Sequence, residues 1–255
     1  MAATRDLGLC AVVRLQPVGD SDLILGLLSE TEGRVDAVAR GGRNSKKRFA
    51  GVLRPFQTAR VTLQPGRGAL PLLADLTPVT VWLRDDVGWA QLCLASLATE
   101  LAQIASQPSH ADPELLQWLQ GAWEACAALD EGATAHLRQL RLAMEVTFLA
   151  VVGAMPDLQA CVRCGRDLAL GAIWPPDADA PLCPGCTPVV ASWLLAEPLR
   201  QALLATLRGD TALRNIWLPP ESRQLAEDRV SRLLRHAVPG QLRSLPMVEQ
   251  LLAAT

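Results

Sequence analysis

The chain has 255 residues, half of them hydrophobic, and a formal net charge of −2 at pH 7. A substantial core can form, in one large domain or two or three small ones. No uninterrupted apolar run reaches the length of a membrane span, so no membrane partner is expected, and the near-neutral total singles out no other partner.

Charge is unevenly spread. Residues 1–80 carry 11 Arg/Lys against 7 Asp/Glu, a net of +4; the other 175 carry 13 against 19, a net of −6. A mildly basic front on an acidic remainder suggests that one domain meets an anion. The start, Met1 to Cys10, lacks the long apolar core of a secretory signal, so a cytoplasmic chain with reduced thiols is expected.

Residues 8–80 read as short strands. Leu9, Ala11, Val13 and Leu15 alternate with Cys10, Val12, Arg14 and Gln16, the period-2 signature. Leu23, Leu25 and Leu27 form a second run, Val35, Ala37 and Ala39 a third, Ala59, Val61 and Leu63 a fourth, and residues 70–76 a fifth. Turn residues punctuate them at Gly19-Asp20, Glu32-Gly33, Gly41-Gly42 and 65–68. Five strands in under 80 residues predict a small Greek-key barrel of the OB type; an SH3-like barrel or an open meander would give nearly the same pattern.

After Asp85 the period becomes helical. Leu94, Leu97, Leu101 and Ile104 mark one helix; Leu115, Leu119, Ala122, Cys126 and Leu129 a second; Leu137, Leu140, Met144, Phe148 and Val151 a third. A fourth starts near Ser192 with Leu199, Leu203 and Leu207, and ends at Gly209. A fifth runs from about Ser222 to Ala237, and Leu245 to Leu252 form a short last one. The fold class is therefore α+β: an N-terminal OB-type barrel over 1–82, then a helical domain over 83–255 with an inserted segment, 156–188, rich in Pro, Gly and Asp.

That segment carries Cys161-Val-Arg-Cys164 and Cys183-Pro-Gly-Cys186, a C-x2-C-x18-C-x2-C spacing. Two such pairs can complete a tetrahedron of thiolates, the ligand set of a closed structural zinc site, with one zinc per chain expected. Two disulfides or four free thiols are the alternatives. Gly165 and Pro184-Gly185 supply the turns that metal loops need. Cys10, Cys93 and Cys126 sit in apolar patterns and read as small core residues.

Catalytic signatures are missing. His110, His136 and His236 all lie far from the cysteines in sequence and read as packed or solvated. There is no His-Glu-x-x-His, no His-x-Glu ahead of a Pro-Cys-x-x-Cys, and no G-x-S-x-G elbow. Residues 41–46 lack the glycine before lysine of a Walker A loop, and nothing positions an enzyme.

The segment 39–49 is different. Arg40, Arg43, Lys46, Lys47 and Arg48 place five positive charges in nine residues with no acid, and both lysines of the chain fall here. Asn44 and Ser45 add neutral donors suited to phosphate oxygens. Phe49 and Phe56 flank the loop and could stack on exposed bases, or could equally be core. Arg34, Arg54 and Arg60 would extend a groove. A loop of this kind on an OB barrel points to nucleic acid, a solvated surface loop being the plain alternative. Arg229, Arg232 and Arg235, with Arg243, have roughly helical spacing and read as a solvated helix face, with a partner surface as the alternative.

The order of these features resembles the bacterial RecO recombination-repair proteins. The likeness is carried by residues 37–49 with Leu53-Arg-Pro-Phe56, Gly19-Asp-Ser-Asp-Leu23, residues 156–165 leading into the cysteine segment, and Leu242-Arg-Ser-Leu245. It runs through essentially the whole chain. Residues 152–156 are a looser match, because tyrosine is absent from this chain. The resemblance implies an OB-fold, a helical domain with a zinc-binding insert, and binding of single- and double-stranded DNA with annealing of complementary strands. It also implies RecR and SSB as partners, RecA as an indirect one, no nucleotide hydrolysis, and work in the cytoplasm on the nucleoid. The competing classes are a zinc-stabilised protein-interaction scaffold without intrinsic annealing, and an unrecognised zinc enzyme.

Overall fold

The computed structural model describes residues 4–66, 68–84, 86–129, 134–211, 213 and 216–253. By contacts the chain divides into two compact units, Met1–Glu131 with Leu242–Thr255, and Gly132–Gln241.

Five strands open the first unit: β1 (Arg5–Val18), β2 (Asp22–Ser29), β3 (Gly33–Ala39), β4 (Gln57–Gln64) and β5 (Leu72–Val81). They close a barrel in the order β1-β2-β3-β5-β4, antiparallel except where β3 meets β5. The OB-like barrel expected from the sequence is thus present. The alternating apolar residues of β2, β3 and β4 face its interior as the period predicts: Leu25 and Leu27, Ala37 and Ala39, Ala59, Val61 and Leu63.

β1 departs from the simple alternation. Its inward residues are Leu7, Cys10, Val12 and, partly, Leu15, rather than the set beginning at Leu9. Pairing slips between Asp6 and Leu9 and again between Val12 and Arg14. Each bulge adds one residue and moves the following side chains to the other face. The inward steps are therefore 3, 2 and 3 residues. Ala11 and Val13, on the other face, are also buried, because helices pack outside β1.

Those helices are α1 (Trp89–Ala105) and α2 (Pro113–Ala127). Asp112 caps α2 by accepting from the Leu115 N–H at 2.9 Å, with Pro113 in the first turn. Between the two helices the buried Trp123 indole donates to Thr99 Oγ1 at 2.9 Å, and Thr99 donates to the Ala95 carbonyl at 2.7 Å, so neither polar group is orphaned. The last helix, α6 (Leu245–Ala253), returns to α1. Its N-terminal end is held by Glu100, whose carboxylate accepts from the Arg243 and Ser244 N–H groups at 2.8 Å and the Ser244 hydroxyl at 2.6 Å. Negative charge is favourable at a helix N-terminus.

β3 is seated on the α1–α2 connection through Gly33. Its φ is +70°, and a Cβ there would lie 2.0 Å from the His110 carbonyl oxygen and 2.5 Å from that of Gln107. Gly33→Ala should destabilise this unit by about 3 kcal/mol, from the left-handed conformation plus overlap with backbone that cannot swing aside. Chemical denaturation checks it, and an unchanged midpoint would refute the reading.

The second unit packs α3 (Thr134–Val151) against α4 (Glu197–Leu207) and α5 (Pro220–Ala237). Leu137, Leu140, Met144 and Phe148 are buried as their spacing predicts. α4 starts at Glu197 rather than near Ser192: a 3-10 turn, Ala191–Trp193, comes first, and Pro198 lies in the opening turn of the helix.

Two buried arginines hang the cysteine segment from these helices. Arg200 takes the Glu197 carboxylate with two bonds of 2.7 Å and donates to the Leu158 carbonyl at 3.0 Å. Hydrogen bonds from Arg200 and Gln201 hold the Glu197 carboxyl down at about 2. Arg229 donates to the Trp174 carbonyl at 2.8 Å. The expectation of a solvated arginine face holds for Arg235 and Arg243, which are exposed, and is corrected for the other two: Arg229 is only 7 % exposed, and Arg232 bonds Asp179 at 2.9 Å and the Asp177 carbonyl at 3.2 Å. Helical spacing places Arg229, Arg232 and Arg235 on one face, and the cysteine segment meets it at Arg229 and Arg232. No helix among the described residues is long and apolar enough to cross a membrane.

Candidate nucleic-acid interface and metal centre

The basic loop joins β3 to β4 and is built on the β1–β2 turn. Gly41 has φ +64°, and its N–H donates to Asp22 Oδ1 at 2.8 Å. The Arg43 N–H donates to the Ser21 carbonyl at 3.0 Å. Gly42 begins a single 3-10 turn and is buried, with Ala39, Leu23 and Leu53 so near that a Cβ would meet them at 3.1–3.3 Å. The loop's start is therefore pinned. Asp22 and Ser21 carry no chemistry in the sequence reading, although Gly19-Asp-Ser-Asp was the signal available.

Phe49 anchors the far side. It is 2 % exposed and belongs to the barrel core, while its N–H donates to Ser45 Oγ at 2.8 Å. Of the two possibilities left open for this ring, core is the one observed. The Arg48 guanidinium lies 4.8 Å from the Phe49 ring centroid and donates to the β5 carbonyls of Leu73 and Ala74 at 2.7 and 2.8 Å. The Phe56 ring meets Trp123 edge to face, with centroids 6.0 Å apart.

Arg40, Arg43, Lys46 and Lys47 are all exposed, and among the described residues no ion pair or side-chain hydrogen bond engages them. Four free cations thus stand on a tethered frame, with Arg48 at its edge. Arg54, at the loop's exit, donates from Nε to the Gly51 carbonyl at 3.1 Å. Arg34 lies apart, six residues before Arg40 on β3 and roughly 20 Å away along the strand. Its guanidinium donates to the Gln103 carbonyl at 3.3 Å, in the last turn of α1, where the helix dipole favours a cation.

In the second unit the Sγ atoms of Cys161, Cys164, Cys183 and Cys186 all lie within 4.8 Å of one another, with Cys164 and Cys183 3.6 Å apart. Four thiolates at about 2.3 Å from one ion would be spaced by about 3.8 Å, so the set fits a tetrahedral zinc site. None of the seven cysteines forms a disulfide. Each pair sits on a tight turn: the Gly165 N–H donates to the Cys161 carbonyl at 2.8 Å, with Gly165 at φ +71°, and the Cys186 N–H to that of Cys183 at 2.9 Å. Arg163 ties the turns together by donating to the Cys186 carbonyl at 2.8 Å.

The thiols feel one another. Burial raises the Cys161 pKa, but N–H groups of Cys183, Arg163 and Cys164 and the Cys164 thiol bond its sulfur and bring it down to about 6. Cys186, chiefly through its hydrogen bond to Cys164, is pushed up to about 12. A cation among them would favour the thiolate at every position. Among the described residues no histidine or carboxylate joins this cluster, and four thiolates on one ion form a closed tetrahedral set.

Comparison with known proteins agrees across both units. The model described as Recombination protein O N terminal matches residues 8–81, and that described as Recombination protein O C terminal matches residues 89–246. Curated relatives include a DNA repair protein RecO from Anaeromyxobacter sp. (strain K), 33% identical over 234 residues and 88% of each chain. Another, from Myxococcus xanthus (strain DK1622), is 30% identical over 91% of this chain and 92% of its own. One from Pelobacter propionicus is 29% identical with the same coverage.

Proposed function

The chain belongs to the recombination protein O family of DNA repair proteins, and from that premise we propose that it is a non-enzymatic recombination mediator. On this reading it binds single- and double-stranded DNA, anneals complementary strands, and with RecR helps RecA replace SSB on DNA. It works in the cytoplasm, on the nucleoid.

The observation that carries the reading is the frame of unpaired cations at Arg40, Arg43, Lys46 and Lys47. Cations that neutralise phosphates release condensed counterions, which gives affinity without sequence preference. Arg48 and Arg54 would edge the same path, and Arg34 would join where DNA runs the length of β3. Annealing follows because one cationic surface can hold two strands while screening their repulsion. One zinc, held by Cys161, Cys164, Cys183 and Cys186, would fix the fold and take no part in any reaction.

The deciding experiment is annealing of complementary strands coated with SSB, with and without this protein. Faster duplex formation is expected, and its loss when RecR-free protein carries a neutralised loop. A protein that binds SSB but leaves the annealing rate unchanged would be an interaction scaffold instead.

A further inference from the structure

We infer that single-stranded DNA on this barrel is held by its phosphates alone, with its bases turned away from the protein and free to pair. This rests on the reading of residues 40–48 as the DNA contact. OB barrels usually grip single strands by stacking bases on exposed aromatic rings. Here residues 1–81 contain only two aromatics, Phe49 and Phe56. Phe49 is sealed in the barrel interior beneath the Arg48 guanidinium. Phe56 is turned onto Trp123. Phe49 offers no face to a base, and Phe56 is half-buried against Trp123.

The nearest other rings by sequence are Trp82 and the exposed Trp89, which follow the Val81 end of β5. Arg48 touches β5 at its opposite end, at Leu73 and Ala74, whereas the loop's exit at Phe56 accepts from the Trp82 N–H at 3.0 Å. Eight residues separate Leu73 from Val81, roughly 25 Å along the strand. Two main-chain donors are also taken: the N–H of Gly41 by Asp22 and that of Arg43 by Ser21. What the loop projects is exposed long-chain cations together with the Asn44 amide, groups that match phosphate oxygens. A strand gripped this way presents its pairing edges outward, the arrangement that a complementary strand requires.

The test compares binding of the whole protein to a thymidine oligonucleotide and to an abasic phosphodiester of equal length. It adds permanganate oxidation of the bound thymines and the Trp89→Ala variant. Affinities within about twofold, thymines still open to permanganate, and no change for Trp89→Ala support the inference. A single stacked base contributes about fivefold or more. Abasic binding weaker by that factor, protected thymines, or a comparable loss for Trp89→Ala would overturn it while leaving the DNA site in place. Failure of wild-type protein to bind either oligomer would remove the DNA-binding reading and this inference together.

Discussion

Replacing Arg40, Arg43, Lys46 and Lys47 by glutamate will weaken single-strand binding by about 500-fold or more near 0.1 M salt and flatten its salt dependence. Each phosphate contact to a single strand adds about 0.7 to the slope of log K against log salt. Four contacts therefore account for about 2.8 decades relative to 1 M salt. Raising salt from 50 to 200 mM should cost the parent about 50-fold more affinity than the variant. The barrel should melt as before, because the four side chains are exposed and unpaired. Arg48 is left in place deliberately: it bonds Leu73 and Ala74 and covers Phe49, so its loss would loosen the loop itself. Titration of labelled oligonucleotide at several salt concentrations reads both quantities. A folded variant with parental affinity and slope would end the case for this loop.

The second large effect is expected at the cysteines. Purified under reducing conditions, the protein should carry one zinc per chain, and Cys161→Ser or Cys183→Ser should unravel residues 156–188 and destabilise the Gly132–Gln241 unit. Structural zinc contributes about 10–16 kcal/mol of apparent free energy in isolated zinc-finger peptides, as much as a whole domain's stability of about 5–15 kcal/mol. Apart from the cysteines the segment is held by buried Leu158, Leu168, Ile173, Trp174 and Leu182. Its backbone pairing is limited to isolated bridges such as Ile173 with Leu182 and Leu194. When it opens, buried Arg200 and Arg229 lose the carbonyls of Leu158 and Trp174, leaving buried cations short of acceptors. Elemental analysis and limited proteolysis check this, with fragments expected from residues 156–188 and the barrel left intact. Absence of stoichiometric metal from reduced protein, or parental proteolytic resistance in both variants, would contradict it.

The parts that were legible in the sequence are those written locally. Strands β2, β3 and β4 could be oriented because each alternates without interruption between turns. β1 could not, since its two bulges leave no trace in composition while reversing which side chains face inward. The cysteine quartet was legible because ligands of one ion come in short fixed spacings. The loop cations were legible because charge in a contiguous loop needs no partner to be recognised.

Phe49 and Arg229 show where such reading stops. An aromatic beside a basic loop suits base stacking and core equally well, and only closure of the barrel decides that Phe49 points inward. Helical spacing places Arg229, Arg232 and Arg235 on one side of α5, yet only the folded cysteine segment, some fifty residues earlier, decides that Arg229 is buried beneath it.

By itself, then, the sequence determined the order of barrel, helices and cysteine segment, the four thiol ligands, and the stretch of free positive charge. Each follows from periodicity, spacing or charge within about twenty-five residues. Tertiary structure alone decided that Asp22 and Ser21 pin the basic loop, that Arg48 is spent on β5, and that α1, α2 and α6 group with the barrel while α3, α4 and α5 share a unit with the cysteine segment. The reason is physical: a local pattern says which face of an element is apolar or charged, but what covers that face depends on contacts between residues far apart in the chain.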